Sequence, residues 1–170
     1  MTSLLKLENS SKMVLIDIED KERLKKYRWF TSSRGAVYRI EMRNLLPGEI
    51  PIKASKHRRT LYIALASEIM HQLDQMFDHK DRNSFDCRKE NLRPCTYSQN
   101  AMNRKKIAGC SSKYKGVSWS KYANKWQASI KLNGKKIMIG RYANEDEAGL
   151  AYNQKALELF KEFACLNEII

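Results

Sequence analysis

Alternation of apolar and polar positions is clearest in the last third of the chain. In KWQASIK, Trp126, Ala128 and Ile130 fall on one face of a strand, while Lys125, Gln127, Ser129 and Lys131 fall on the other. Asn133-Gly134 then supplies a type I′ hairpin turn into KKIMIGRY, where Ile137 and Ile139 alternate against Lys136 and Met138. One strand earlier, YKGVSWS alternates Val117 and Trp119 against Ser118 and Ser120. The pattern predicts three antiparallel strands with one apolar face, carrying Trp119, Trp126 and Ile130 into a core, and one basic, hydrogen-bonding face. After Asn144 the period lengthens to that of a helix. Ala148, Ala151, Tyr152, Ala156, Leu159, Phe160 and Phe163 recur along one side, behind a start marked by Asn144 and the acids Glu145, Asp146 and Glu147. Such a helix covers the apolar face and leaves the basic face open.

The rest of the chain is less regular. Residues 1–74 contain strand-like runs at Met13–Ile18, Val37–Met42 and Leu61–Leu65, and a polar helix around Lys21–Tyr27. A short helix within Ala64–Leu73 is expected to pack through Leu65, Ile69 and Leu73, and the Leu-Pro-Gly-Glu run from Leu46 to Glu49 marks a turn. Residues 75–103 read as a strand ending at Asp78 and His79, a loop with Asp81 and Asn83, a return strand near Leu92–Cys95 and a helix from about Tyr97. This ββα unit is too small for a large core of its own. A basic linker, 104–113, leads to the sheet-and-helix domain, 114–170. The fold class expected is α+β.

Charge sharpens the picture of the partner. The 170 residues carry a formal net charge of +13, with 42% hydrophobic residues to support a core. Eleven lysines and arginines and no acid lie between Arg104 and Arg141, whereas the segment from Tyr142 onward is net acidic. Basicity concentrated in one window marks a binding face for a polyanion, because Lys and Arg gain affinity by releasing counterions from phosphate. The open sheet face has about the width of a DNA major groove. An RNA-binding or virion structural role is disfavoured, since that face lacks the stacking aromatics of single-strand readers. Cys87, Cys95, Cys110 and Cys165 show neither CxxC pairing nor His at zinc-finger spacing, so four reduced thiols are expected. No apolar run has the length of a membrane span or signal core. The expectation is therefore a protein that stays in the cytoplasm where it is made, with no membrane partner and no small-molecule cofactor. Monomer is favoured, for neither domain shows a spare apolar face.

The segment Phe77–Asn103, FDHKDRNSFDCRKENLRPCTYSQNAMN, brings an acid, an imidazole and spaced amides into one short module. These are the parts a one-metal nuclease needs: hard oxygens for Mg²⁺ or Mn²⁺ and a group to take a proton from water. Singly, Asp78 or Asn100 reads as a turn or cap residue and His79 as a surface histidine. Together, DHKDRN, ENLR and QN resemble the HNH homing endonucleases, in particular the phage and intron-encoded branch whose last metal ligand is Asn. The resemblance implies a ββα-metal (His-Me finger) core over roughly Leu65–Asn103. In it, Asp78 and Asn100 hold one divalent ion, His79 is the general base, and Asn91 braces the loop and orients the imidazole. Asn83 and Asn103 read as loop and helix-end hydrogen bonders, His57 as part of a basic loop and His71 as a solvent-facing helix residue.

Two departures from that family stand out. Its Leu-His-Arg element is replaced by Leu65-Ala66-Ser67, and the glycine usual after DHKD is replaced by Arg82. From Tyr114 to Asn167, the motifs GVSWS, KWQASI, IGRY, the acidic helix start and the closing CLN resemble the ethylene-response-factor (apetala-type) DNA-binding domain. The matching positions imply DNA contacts by Lys115, Ser118, Ser120, Gln127, Ser129, Lys131, Lys136 and Met138; Lys125 is also expected to bind DNA, and the linker residues Arg104, Lys105, Lys106 and Lys113 to follow the phosphate backbone. The expected function is a site-specific homing-type endonuclease acting on double-stranded DNA. The alternative is a DNA-binding regulator that cuts weakly or not at all.

Overall fold

Leu5 and Leu7 on the first strand, with Val14 and Ile16 on the second, are nearly inaccessible to solvent, and this shared apolar side sets the register of the opening hairpin. In the computed structural model, which describes residues 1–44, 58–106 and 109–169, strand β1 (Thr2–Leu7) pairs antiparallel with β2 (Ser10–Asp17), Leu5 facing Val14. The chain divides into two compact units, Met1–Cys95 and Thr96–Ile170.

In the first unit, helix α1 (Lys21–Leu24) buries Leu24, whose carbonyl accepts the indole N–H of the buried Trp29 at 2.9 Å. Strands β3 (Phe30–Thr31), β4 (Val37–Asn44) and β5 (Arg58–Ala64) form an antiparallel sheet in that order. Helix α2 (Leu65–Ile69) follows directly and sinks Leu65 and Ile69 into the same core as Val14, Ile16 and Trp29. It is shorter than expected. His71 has φ 54°, which ends the helix, and Leu73 is exposed instead of packed. The polar helix is likewise only one turn long, and β1 and β3 add to the strands expected. The turn expected at Leu46–Glu49 and His57 lie outside the described residues. Strands β6 (Phe77–His79) and β7 (Leu92–Pro94) close the unit as an antiparallel hairpin.

The second unit opens with α3 (Tyr97–Met102), started by a capping box in which Thr96 and Gln99 satisfy each other's backbone N–H. Strands β8 (Val117–Ser120), β9 (Lys125–Leu132) and β10 (Lys135–Tyr142) form a sheet with β9 central, and Asn133 (φ 48°) and Gly134 (φ 80°) make the expected turn. Helix α4 (Glu145–Phe160) packs Ala148, Tyr152, Ala156 and Phe160 on Val117, Ala128 and Ile130. The acids at its start do more than face the helix dipole. Glu145 accepts from the Ser112 hydroxyl (2.7 Å) and the Lys113 amide (2.8 Å), and Asp146 from the Tyr114 hydroxyl (2.6 Å). Asn167 clamps the other side, accepting from the Lys115 N–H at 2.6 Å and donating to its carbonyl at 3.1 Å. Gly116, at φ 76°, lies so close to Tyr152 that a Cβ would stand 2.1 Å from the ring.

Two expectations change here. Trp119 is 37% exposed, because it stands near the end of edge strand β8 and rests edge-on against Trp126 at 5.1 Å between ring centroids. Helix α3, expected to belong with the module 75–103, is grouped with the β8–β10 sheet. Its Met102 packs on the cluster of Ile130 and Phe160, and the Lys115 ammonium donates to the carbonyls of Met102 and Arg104, both at 2.6 Å. The units therefore separate after Cys95, eight residues ahead of the boundary expected at Asn103. Among the described residues, no helix is long and apolar enough to cross a membrane.

Candidate functional site

The β6–β7 hairpin is only three residues long on each side, so its side-chain pairs decide what it presents. Phe77 and Leu92 are buried and anchor it to the first core. Between them Asp78 stands opposite Arg93. Both are buried, Asp78 to 5% and Arg93 to 9% exposure, and the guanidinium donates to carboxylate Oδ2 from Nε at 3.0 Å and from Nη2 at 2.7 Å. Two charges removed from water require such a partner.

His79 is half-buried beside this pair, its Nε2 lying 3.5 Å from Sγ of the fully buried Cys87. Burial pulls the imidazole below its ordinary 6.5, against the opposing pull of Asp78, Asp81 and Asp86. Burial thus favours the neutral ring, the state a base requires. Burial also pushes the Cys87 thiol up to about 12, so it keeps its proton.

The loop from Lys80 to Asn91 is held by side-chain amides in place of regular structure. Asn91 Oδ1 accepts from the Asp81 N–H at 3.0 Å, while its Nδ2 donates to Asp81 Oδ1 and the Asp86 carbonyl, each at 2.8 Å. Asp81 and Asn83 each cap the amide two residues on, as such side chains do in turns. Arg82 sits at φ 67°, a conformation that glycine takes without cost. Strand β2 backs the loop, the Leu15 N–H donating to Phe85 at 2.7 Å and the Cys87 N–H to Leu15 at 2.8 Å. Where the Leu-His-Arg element is missing, Ala66 and Ser67 are buried and the Ser67 hydroxyl donates to the Gln75 carbonyl at 2.9 Å.

Asn100, the other expected ligand, is half-buried on α3 and belongs to the second unit, whereas Asp78 and His79 belong to the first. Asn103 is the buried residue that ends the same helix. Among the described residues, no three His, Cys, Asp or Glu side chains are gathered as they would be around a metal ion. The donors of the motif are nonetheless oxygens, a carboxylate and a carboxamide, which suit a hard cation such as Mg²⁺ or Mn²⁺.

The register of the second sheet sorts the residues expected to face DNA into rows. Ser118 pairs with Gln127 and Gln127 with Arg141; Ser129 faces Met138; Lys131 faces Lys136; Ser120 faces Lys125. Lysines directly opposite each other repel, and no acid between Arg104 and Arg141 relieves them. A cleft of about 790 Å³ with Lys131 and Lys136 among its lining residues opens between this hairpin and α3. Arg104 and Lys105 are exposed, and Lys106 is half-buried. Lys113 reaches Asp146 at 3.2 Å and lies over the Tyr114 ring, and Lys115 closes the end of α3. The hydrogen bonds to Tyr114 and Asp146 raise the Lys113 amine above its usual range.

Sequence reasoning missed Arg93 and Cys87. Arg93 was in view within ENLR, but its partner is fixed by strand register, and an isolated Cys carries no spacing signal.

No family model matches the chain. An uncharacterized HNH endonuclease of Acanthamoeba polyphaga mimivirus is 31% identical to it over 144 residues, which cover 85% of this chain and 68% of that protein.

Proposed function

The chain belongs to the HNH endonuclease family, and from that premise we propose that it hydrolyses phosphodiester bonds of double-stranded DNA at a defined site, as homing endonucleases do. The observation that carries the reading is the half-buried His79 next to Asp78 on one short strand, in surroundings that favour its neutral form. In this reading His79 takes the proton of the attacking water, and Asn91 keeps the loop that frames it in one shape. Asp78 is the proposed carboxylate ligand of one Mg²⁺ or Mn²⁺, and Asn100 is carried over as the amide ligand on the sequence motif alone. When bound, such an ion stabilises charge on the phosphate and on the departing 3′ oxygen. The sheet rows with Ser118, Ser120, Lys125, Gln127, Ser129, Lys131, Lys136 and Met138, of which Lys125, Lys131, Lys136 and Met138 are exposed and the others half-buried, are proposed to read the duplex, in a protein acting as a monomer.

Purified protein incubated with supercoiled and linear DNA from its source tests this. Nicked or linear product at a discrete place, with Mg²⁺ or Mn²⁺ and not with chelator, is the expected result. Retention of DNA without cutting under either metal would favour a non-cutting regulator, the reading that Ala66 and Ser67 in place of His and Arg support.

The reader face makes its own prediction. Replacing Lys131 or Lys136 by Ala should weaken duplex binding on all sequences alike and lower the slope of log affinity against log salt by about 1 each. Fluorescence anisotropy across a salt series measures it, and a slope unmoved by both substitutions would remove this face from the interface.

A further inference from the structure

The outer face of the β3–β4–β5 sheet is apolar where a sheet facing solvent is normally polar. Strand β4 alternates, turning Val37 into the core and carrying Tyr38, Ile40 and Met42 on the other side. Tyr62 on β5 stands opposite Ile40 and so shares that side. Tyr62 is 68% exposed, Met42 61% and Ile40 46%. Folding gains little from these three, and water meets a patch of the kind that marks a binding surface.

Within the patch the rings stand in line. Phe30 on β3 pairs with Tyr38, their ring centroids 6.2 Å apart and their planes inclined by 28°, and Tyr38 meets Tyr62 edge-on at 5.5 Å. Each of three adjacent antiparallel strands thus contributes one ring to a row across the sheet. Short, stiff side chains that already lean on one another lose little freedom when a further flat group is laid on them.

The electrostatics suit a polyanion. Among the described residues, no acid occupies a paired position on this face, and both Glu41 and Glu68 are drawn to Arg39, which pairs with Ile63 on the opposite side. The sequence from Arg43 to Arg59, which joins β4 to β5, carries Arg43, Lys53, Lys56, Arg58 and Arg59 against Glu49 alone. A second copy of the chain would find little to hold, because the patch is a handful of side chains and a stable interface needs about 20–30 residues on each side. An unpaired nucleobase needs only a ring to lie on and a cation for its phosphate, whereas the bases of a duplex cover their flat faces against each other.

We propose that this face binds single-stranded DNA, with about two or three unpaired bases stacking on Phe30, Tyr38 and Tyr62. The assignment rests on the nuclease reading above for the source of that strand, since a cut or nicked duplex frays at its new end.

Fluorescence anisotropy of the full chain, in chelator so that nothing is cut, measures binding of labelled oligo(dT), of oligo(U) and of a duplex. Tyr62→Ala should weaken oligo(dT) binding by about ten-fold and leave duplex binding within about two-fold, and Tyr62→Phe, which keeps the ring, should behave as the wild type. Tyr62 is largely exposed, so its truncation leaves the buried core untouched. Ultraviolet cross-linking of oligo(dT) should place thymine on the peptide that contains Tyr62. Oligo(dT) affinity unmoved by Tyr62→Ala overturns the proposal, as does an equal loss for single strand and duplex, or a ring-dependent affinity confined to oligo(U). A wild-type dimer in sedimentation that Tyr62→Ala makes monomeric would give the face to a second copy and overturn it too. Ring-dependent binding of oligo(dT) by a protein that cuts under neither Mg²⁺ nor Mn²⁺ would uphold the stacking face and defeat the nuclease reading instead.

Discussion

His79→Ala is expected to reduce metal-dependent cleavage by about 10²- to 10⁴-fold, the usual worth of a positioned general base, while duplex affinity stays within about two-fold. The separation follows from where the residue sits. His79 belongs to the first unit, and the lysine rows proposed to supply the salt-dependent affinity belong to the second. Single-turnover cleavage and anisotropy on the same protein measure the two quantities, and equal losses in both would mean that His79 contributes to binding and not to the proton transfer. The pH profile adds a check on mechanism. A base works only when unprotonated, so the rate rises with pH through its pKa, and burial has moved that of His79 below 6.5. The rising limb of the wild-type profile should therefore have its midpoint on the acid side of 6.5, and an apparent midpoint well above it would point to another group.

The sheet and helix of the second unit were legible because each local signal there agrees with the others. Asn133-Gly134 forces the turn, the β9 alternation sets the faces, and the Ala and aromatic stripe of α4 fits only the apolar one. Trp119 escaped that reading because alternation gives a side chain's face but not the cover over it, and the end of an edge strand has little. Strand β1 was missed for a related reason. The adjacent Leu4 and Leu5 blur the period of two, and only the finished hairpin shows Leu5 buried and Leu4 exposed. The grouping of α3 could not be read at all. Its six residues include no buried side chain, and what ties it to the second unit is Met102 and a lysine thirteen positions beyond Met102. In the candidate site, Asp78, His79, Asn91 and Asn100 were named from their spacing, which a motif records. Arg93 and Cys87 were not named, because one is defined by cross-strand register and the other by a fold of the loop around it.

Arg93→Met is expected to cost about 3–5 kcal/mol of stability in the first unit, since it strips the buried Asp78 carboxylate of the two N–H donors that converge on Oδ2. Hydrogen exchange of amides within Met1–Cys95 across a urea series measures that unit without mixing in the transition of the other. The loss belongs to a buried charge deprived of its guanidinium more than to the missing contact. Combining Arg93→Met with Asp78→Asn should therefore recover a large part of it, because neither charge is then left in the interior. The same buried carboxylate provides a test of the proposed metal site that needs no cleavage. If Asp78 is a ligand, Mg²⁺ or Mn²⁺ can take over the role of the guanidinium, and saturating metal should stabilise Arg93→Met by more than it stabilises the wild type. The gain should vanish in the double variant, where the carboxylate is gone. A cation that stabilised all three proteins alike would be acting elsewhere, and Asp78 would then be a structural partner of Arg93 with no part in holding the ion.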